Sequence, residues 1–203
     1  MTTFHSPHDL KVTWLYDLPF GKDGRWLRSG VGHYVLGGWT VSSIQRYQTG
    51  SPLAITAGSF ASDALFNVGL RADIRLPKDQ WITGSKPTDP DVTRGTPYLN
   101  PQAFAPPPTT SNLVPLRLGN SPRYLSHMRG FARFGEDLSL IKRTDLGFRE
   151  GTNFELRIDA VNLLNRIGIC NPDTNVNDLN SFGRVFSKCG GPRVIQFGAR
   201  INF

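Results

Sequence analysis

Residues 192–203 read P-R-V-I-Q-F-G-A-R-I-N-F and decide the fold of the chain. Side chains along a β-strand alternate between its two faces. In this stretch one face is apolar and comprises Ile195, Phe197, Ala199, Ile201 and Phe203. The other face carries Gln196, Gly198, Arg200 and Asn202, with Val194 as the exception to the pattern. Such alternation over about ten residues is typical of a strand that crosses a membrane in a closed barrel, between lipid and a wet lumen.

The composition favours a β-rich chain. Its 203 residues include 21 Gly and 15 Pro, and 11% of them are aromatic, which is typical of many turns and strands. No run of eighteen apolar residues occurs, so the sequence predicts no membrane-spanning helix. The formal net charge is +7, but the basic residues are spread along the chain and form no nucleic-acid-binding motif. We therefore expect basic turns that face anionic lipid head groups rather than nucleic acid.

Four further segments show strand alternation. They are His8 to Leu18, Gly38 to Ile55, Phe134 to Asp145 and Asn153 to Val161. The alternation of the second segment is imperfect, which indicates a bulge or a mixed face, and Gly50 to Pro52 are expected to interrupt it. The fold class predicted is therefore all-β: an antiparallel up-and-down meander of about five strands, forming part of a transmembrane β-barrel sheet.

The connections between these strands differ greatly in length. About 58–133 and 164–191 show no lasting periodicity and are rich in turn residues, whereas 19–37 and 146–152 are shorter. If the last strand runs towards the periplasm, the two long connections fall on the extracellular side, as outer-membrane barrels require. Aromatic residues then collect at the periplasmic ends of the strands, where an interfacial girdle is expected. These residues are Tyr16, Phe20, Trp39, Phe148, Phe154 and Phe203.

Six stretches, in this order, resemble the carboxy-terminal barrel of TonB-dependent outer-membrane transporters of the Oar-like branch. They are Y-D-L-P-F-G (16–21), G-G-W-T-V-S-S-I-Q-R-Y-Q-T-G-S-P (37–52), N-P-Q-A-F (100–104), F-G-E-D-L-S-L-I-K-R (134–143), F-E-L-R-I-D-A-V-N-L-L-N (154–165) and P-R-V-I-Q-F-G-A-R-I-N-F (192–203). The resemblance implies a plugged barrel of about 22 strands that imports a scarce ligand in the cell outer membrane. Residues 1–203 would form the carboxy-terminal segment of that barrel.

The match is partial. No plug domain, TonB box or signal peptide has a counterpart in the sequence, and five strands cannot close a barrel. We therefore do not expect the chain to transport alone. The resemblance implies four partners: outer-membrane lipid, the remainder of the barrel with its plug, the barrel-insertion machinery, and TonB only through the missing plug. Phe197, Ile201 and Phe203 would form the signal that the insertion machinery recognises.

The alternation also predicts which side chains meet lipid and which meet the lumen. The lipid-facing set is Leu10, Val12, Trp14, Leu156, Ile158, Phe197, Ile201 and Phe203. The lumen-facing set is Glu155, Arg157, Asp159, Gln196 and Arg200. Glu155 and Asp159 have the chemistry of an acid–base pair, but Arg157 between them favours a charge ladder. The sequence predicts no catalytic, cofactor-binding or metal site, and hence no enzyme.

Cys170 and Cys189 both lie in the second long connection. An oxidising location favours a disulfide between them, although a free pair or metal ligands remain open. Residues 171–178, N-P-D-T-N-V-N-D, resemble the start of a calcium loop. Counted from Asp173 as the first position, the sixth is Asp178 rather than Gly and the twelfth is Arg184 rather than Glu, so solvation of the loop is the better interpretation.

Two other classes of function are compatible with the sequence. One is a soluble, secreted β-sandwich binding module that uses the long loop as its recognition surface. It predicts that the apolar faces are buried against each other. The other is a passive porin or adhesin barrel, which would lack a plug.

Overall fold

A computed structural model describes residues 5–21, 24–58, 70–111, 115–147 and 151–203. The strands are β1 (Asp9–Asp17), β2 (Trp39–Gln48), β3 (Pro52–Leu53), β4 (Asp73–Ile74), β5 (Thr96–Pro97), β6 (Phe104–Ala105), β7 (Leu125–Arg129), β8 (Arg133–Asp145), β9 (Asn153–Val161), β10 (Gly168–Ile169), β11 (Arg184–Val185), β12 (Lys188–Cys189) and β13 (Val194–Asn202). The helices are α1 (Val31–Leu36) and two short 3-10 helices, Lys78–Gln80 and Pro101–Ala103. No helix in the described part of the chain is both long enough and apolar enough to span a bilayer.

The chain divides into two compact units. The sheet unit comprises Asp9–Tyr47, Phe134–Arg166 and Gly191–Phe203. The loop unit comprises Met1–His8, Gln48–Arg133 and Ile167–Gly190. The sheet unit thus contains nearly all of the long strands, and the loop unit contains the long connections.

The sheet unit is built on one five-stranded sheet with the strand order β1-β2-β8-β9-β13. Each long strand pairs with the next long strand along the chain, and the pairs β8–β9 and β9–β13 are antiparallel. This is the predicted antiparallel meander, and the all-β class is confirmed apart from short helices. Within the described residues β1 and β13 are edge strands.

The second strand is shorter than its sequence pattern suggested. β2 ends at Gln48, and Pro52 and Leu53 belong to a separate short strand, β3, in the loop unit. A register shift occurs between Pro52 and Leu53. Gly50 explains part of this, because a Cβ there would lie 1.8 Å from the carbonyl oxygen of Gly130. Only a glycine allows the two backbones to approach this closely.

The first short connection contains a helix that the sequence did not predict. α1 has only six residues and no side-chain cap at its amino end, so it carries none of the usual start signals. Its last turn closes when the Gly37 N–H donates to the carbonyl of His33 at 2.9 Å. Gly21 and Gly37 pack backbone to backbone here: a Cβ on Gly21 would lie 2.7 Å from the Cα of Gly37. The glycines of Y-D-L-P-F-G and G-G-W therefore close this turn.

The loop unit has a hydrophobic core of its own, although its sequence shows no lasting periodicity. Its buried residues include Ile55, Leu99, Leu125 and Met128, each at most 2% exposed. Four two-stranded pairings hold the surrounding chain: β3–β7, β4–β6, β5–β11 and β10–β12. Most of these strands are two residues long, which is too short for a period of two to be visible in the sequence. The described parts of the long connections are therefore held together by packing rather than by long strands.

Replacing Leu99 with Ala should destabilise the loop unit. Leu99 is 1% exposed within the core cluster, and truncating a buried Leu costs roughly 2–5 kcal/mol. Leu179→Ala is the matched control, because Leu179 is 83% exposed and its truncation should cost less than about 0.5 kcal/mol. The measurement is hydrogen exchange of backbone amides in residues 96–105. Faster exchange in the Leu99 variant alone is expected, and equal exchange in both variants would contradict the assigned core.

Candidate functional site

The two faces of the sheet are defined by the pairing of β9 with β13. Side chains that lie directly opposite each other in an antiparallel pair share a face. Phe197 lies opposite Ile158, and Ile201 lies opposite Phe154. On the other face Arg200 lies opposite Glu155. On β9 and β13 the structure therefore gathers the predicted apolar residues on one face and the predicted polar residues on the other.

The apolar face is not covered by a second layer of the described chain. Phe197 is 75% exposed, Ile201 is 57% exposed and Phe203 is fully exposed. On β1, Leu10 is 57% and Trp14 is 39% exposed. None of these residues belongs to a buried cluster formed by the described residues. The soluble binding module would require a sandwich that buries these apolar side chains against a second sheet. The described residues form no such sandwich.

The polar face carries a ladder of charged contacts. Across β8 and β9, the Arg143 guanidinium donates to Glu155 Oε2 at 3.0 Å. Along β9, Arg157 Nε lies 2.7 Å from Asp159 Oδ2, and the Ser139 hydroxyl donates to Oδ1 of the same carboxylate. Glu155 and Asp159 are therefore each tied to a cation and retain one-quarter or less of their side-chain exposure. This arrangement matches the charge ladder expected from the sequence.

Two charged residues lie on the apolar face of β8, and sequence reasoning missed their role. Glu136 and Lys142 share the parity of Leu138 and Leu140, the apolar residues of that strand. A charge exposed to the middle of a bilayer costs about 2–4 kcal/mol, and this cost falls to about 0–1 kcal/mol near the interfaces. Each of the two lies three positions from Ser139 at the centre of the strand, and the period-two pattern marks both positions as exceptions.

Glu136 is neutralised by an arginine that follows the next strand. Its side chain is 5% exposed, and both carboxylate oxygens accept from Arg166 Nε, at 2.8 and 3.0 Å. Asn162 fixes the arginine, since its side-chain oxygen accepts from the Arg166 N–H and its amide donates to the Arg166 carbonyl. The guanidinium also lies 5.7 Å from the centre of the Phe134 ring. At the end of the sheet where β9 terminates, the buried charge of Glu136 is thus compensated by its ion pair with Arg166.

The loop unit contains a pocket of about 370 Å³. Its buried lining comes from Trp81 and Leu125, and the exposed side chains of Lys78 and His127 stand at its rim. The Trp81 indole is held in place, because its Nε1 donates to the Leu76 carbonyl at 2.9 Å. The volume falls within the range of small-molecule sites, which are lined mostly by apolar residues with a few polar groups.

An ion pair between a carboxylate and a guanidinium group stabilises the chain beside this pocket. Asp73 accepts from both terminal nitrogens of Arg117, at 2.8 and 2.6 Å, and from the N–H of Asn120 at 3.0 Å. The Arg117 hydrogen bonds lower the pKa of Asp73, so the carboxylate stays ionised and paired at a lower pH than an unpaired aspartate would. Ile74, the next residue, lines the pocket.

The model of one protein family, described as the outer membrane beta barrel domain, matches residues 1–196. The chain belongs to this outer membrane beta barrel domain family. Membership accounts for the exposed apolar face of the sheet, and it establishes that the barrel domain is located in the cell outer membrane. Searches of curated proteins and of solved structures found no match.

In this barrel domain the two cysteines form a disulfide. Cys170 and Cys189 are joined with their Cα atoms 4.9 Å apart. Backbone pairing supports the link, because Gly168 of β10 lies opposite Cys189 of β12. The bridge closes a loop with a sequence separation of 19, which stabilises it by about 3 kcal/mol in the chain-entropy model.

The oxygen-rich stretch 171–178 uses its side chains on its own backbone. Asp173 accepts from the N–H of Asn175, and Asn175 accepts from the N–H of Asn177. The hydroxyl of Ser181 donates to the second carboxylate oxygen of Asp173. Within the described ranges, no three His, Cys, Asp or Glu side chains are grouped in a way that could hold a metal ion. These local contacts favour a set of turns rather than a calcium loop.

The disulfide of the barrel domain predicts a specific thiol titration. Non-reduced protein, denatured so that both positions are accessible, should yield no reactive thiol from Cys170 and Cys189, and reduced protein should yield two. A variant with both cysteines replaced by Ser should show faster hydrogen exchange in residues 167–190, because the loop loses its cross-link. Exchange in residues 153–161 serves as the internal control and should not change. Two thiols before reduction would contradict the pairing.

Proposed function

We propose that the chain is the carboxy-terminal β-barrel segment of a TonB-dependent receptor of the Oar-like branch, which imports a scarce ligand. Residues of the apolar face contact outer-membrane lipid. Glu155, Arg157, Asp159, Gln196 and Arg200 face the lumen or the plug. The proposal rests on the family membership and on the ordered resemblance of six stretches of the chain to these transporters.

One observation favours a receptor over other outer-membrane barrels: the two longest connections of the sheet fold together into a unit with a core, a disulfide and a pocket. These connections follow β2 and β9, and they lead into β8 and β13. In an antiparallel meander, these four strand ends all lie at the same end of the sheet, opposite to the end with the short connections. A folded unit built from these connections offers a surface that can bind a ligand before transport.

The polar face supports a filled or wet lumen. The ladder formed by Arg143, Glu155, Arg157 and Asp159 keeps its charges in cross-strand and along-strand contacts. Such a face is suited to water or to a polar plug surface, whereas the opposite face carries the apolar band of a barrel wall. We infer that the ladder is the surface against which a plug would rest.

The proposal requires more polypeptide than the described sheet. β1 and β13 each leave one row of backbone hydrogen-bonding groups unpaired at the edge of the sheet. In lipid, each unpaired group costs several kcal/mol. The remaining strands of the barrel and the plug are therefore the expected partners, and contact with TonB would occur through the plug.

A conductance measurement on the complete receptor tests the proposal. A plugged barrel inserted into a planar lipid bilayer should give no steady ion current, because the plug fills the lumen. A passive porin would give a steady current under the same conditions. The coding sequence immediately upstream of Met1 is the companion observation, and an in-frame plug and signal peptide are expected there. A steady current together with the absence of an upstream plug would contradict the transporter.

Deleting Phe203 should lower assembly of the complete receptor. We propose that Phe197, Ile201 and Phe203 form the signal read by the barrel-insertion machinery, and Phe203 is fully exposed in the structure. The measurement is the surface level of folded receptor in intact cells. Phe203→Tyr is the matched control, because it keeps the terminal ring, and it should assemble normally. Unchanged surface levels after the deletion would count against the signal.

A further inference from the structure

Lys142 lies on the apolar face of the sheet. It pairs directly with Leu156 in the β8–β9 ladder, next to the pair of Leu140 and Ile158. These neighbours belong to the face that we assign to lipid. A lysine at such a position needs partners for its three N–H groups, because acyl chains offer no acceptor.

The partners of Lys142 are two carbonyls of the last turn of α1 and the carbonyl of Gly37, the residue that follows the helix. Its Nζ lies 2.7 Å from the carbonyl oxygen of Tyr34, 3.0 Å from that of Val35 and 2.9 Å from that of Gly37. The three acceptors match the three donors of an ammonium group. The carboxyl end of a helix also carries partial negative charge, which favours a cation there.

Trp39 completes the enclosure of this charge. Its ring centre lies 5.2 Å from the Lys142 ammonium, and its indole N–H donates to the Val35 carbonyl at 3.0 Å. Tryptophan faces attract cations. Since Lys142 projects from the apolar face and is held by the end of α1, this end of the helix lies on the same side of the sheet.

α1 presents apolar side chains to its surroundings. Val31 is 80% exposed, Tyr34 64%, Val35 58% and Leu36 47%, and none of the residues of α1 is buried. Trp26, in the turn before the helix, is 55% exposed. Exposed aromatic and aliphatic side chains beside basic residues are typical of segments that lie in a membrane interface.

We propose that α1 and the turn before it, which contains Arg25, Trp26 and Arg28, form an anchor in the membrane interface. The anchor binds phospholipid at the boundary between head groups and acyl chains. Arg25 and Arg28 are exposed in the same turn and would contact lipid phosphates. The anchor continues the lipid-facing surface of the sheet past its last residues. Lys142 serves as the link that ties the helix to the strand.

Lipid is favoured over a protein partner for two reasons. The anchor adjoins the apolar face through Lys142, so a partner there would have to share that face with the bilayer. The arginines beside the apolar side chains suit a surface that is anionic outside and apolar inside. This inference rests on the lipid-facing assignment of the sheet and not on TonB-dependent transport.

Spin labels on single cysteines test the anchor. Because Cys170 and Cys189 form a disulfide, cysteines introduced at Val31, Val35 or Leu36 can be labelled without removing the native pair. The complete receptor is reconstituted in bilayers of phosphatidylethanolamine and phosphatidylglycerol. The accessibility of each label to oxygen, which concentrates in lipid, is compared with its accessibility to a water-soluble nickel chelate.

Val92→Cys and Leu179→Cys are matched controls in the loop unit, since these residues are 74% and 83% exposed. Ile158→Cys reports the sheet face, because Ile158 lies opposite Phe197 in the β9–β13 pair. Labels on α1 should show an oxygen-to-nickel ratio several-fold higher than the two controls and similar to Ile158. A ratio on α1 equal to the controls would overturn the anchor, and so would shielding from both reagents, which would indicate a protein partner. A low ratio at Ile158 as well would instead overturn the lipid-facing assignment.

Replacing Lys142 with Met tests the link. The variant keeps an apolar chain of similar length but removes the donors to the α1 carbonyls. The label at Val35 should become more mobile, with a narrower spectrum and a lower oxygen-to-nickel ratio, while the label at Ile158 stays unchanged. If this variant does not assemble, the oxygen and nickel accessibilities measured in the receptor that retains Lys142 still decide the proposal. An unchanged label at Val35 in an assembled variant would overturn the role of Lys142.

Discussion

The nine-residue pairing of β9 with β13 is the constraint on which the rest of the sheet unit depends. Because side chains alternate with a period of two, this register determines which residues share a face, and a slip of one residue would exchange the faces. In the observed register, Phe154, Ile158, Phe197 and Ile201 lie together, opposite to the side that holds Glu155 and Asp159. The two faces therefore suit two different solvents, which is the physical requirement for a barrel wall. The two charges on the apolar face of β8 fit this scheme, because Glu136 is paired with Arg166 and Lys142 donates to carbonyls of α1.

The loop unit is stabilised in a different way from the sheet unit. Its chain is rich in Pro and Gly and forms mostly two-residue strands, so it cannot rely on long ladders for stability. A shared core, the Cys170–Cys189 bridge and the Asp73–Arg117 pair take their place. Irregular backbone of this kind is excluded from lipid but is suited to an aqueous surface that carries a pocket. The barrel domain thus combines a sheet whose faces are set by periodicity with a loop unit that is held together by packing.

The sequence predicted those parts of the structure that depend on local pattern. The strand Asn153–Val161 has the predicted bounds, and the long strands pair in the order in which they follow one another along the chain, as the meander predicts. The long connections could not be predicted as a folded unit, because Ile55, Leu99 and Val176 meet across large sequence separations. α1 escaped prediction because it is short and uncapped. The hydrogen bond from Lys142 to the Tyr34 carbonyl spans 108 residues. Every residue has a backbone carbonyl, so the sequence does not reveal which carbonyl accepts. Phe148, assigned to the aromatic girdle, lies outside the described residues.

The central claim is that the apolar face of the sheet meets hydrocarbon, and lipid-borne photolabelling tests it most directly. Phospholipids that carry a diazirine in the middle of an acyl chain would be mixed into bilayers holding the complete receptor, and the sites of carbene insertion would be mapped by mass spectrometry. We predict insertion at Leu156, Ile158, Phe197 and Ile201, with none at Glu155, Arg157 or Asp159. Insertion on both faces, or on neither, would contradict a wall between lipid and lumen.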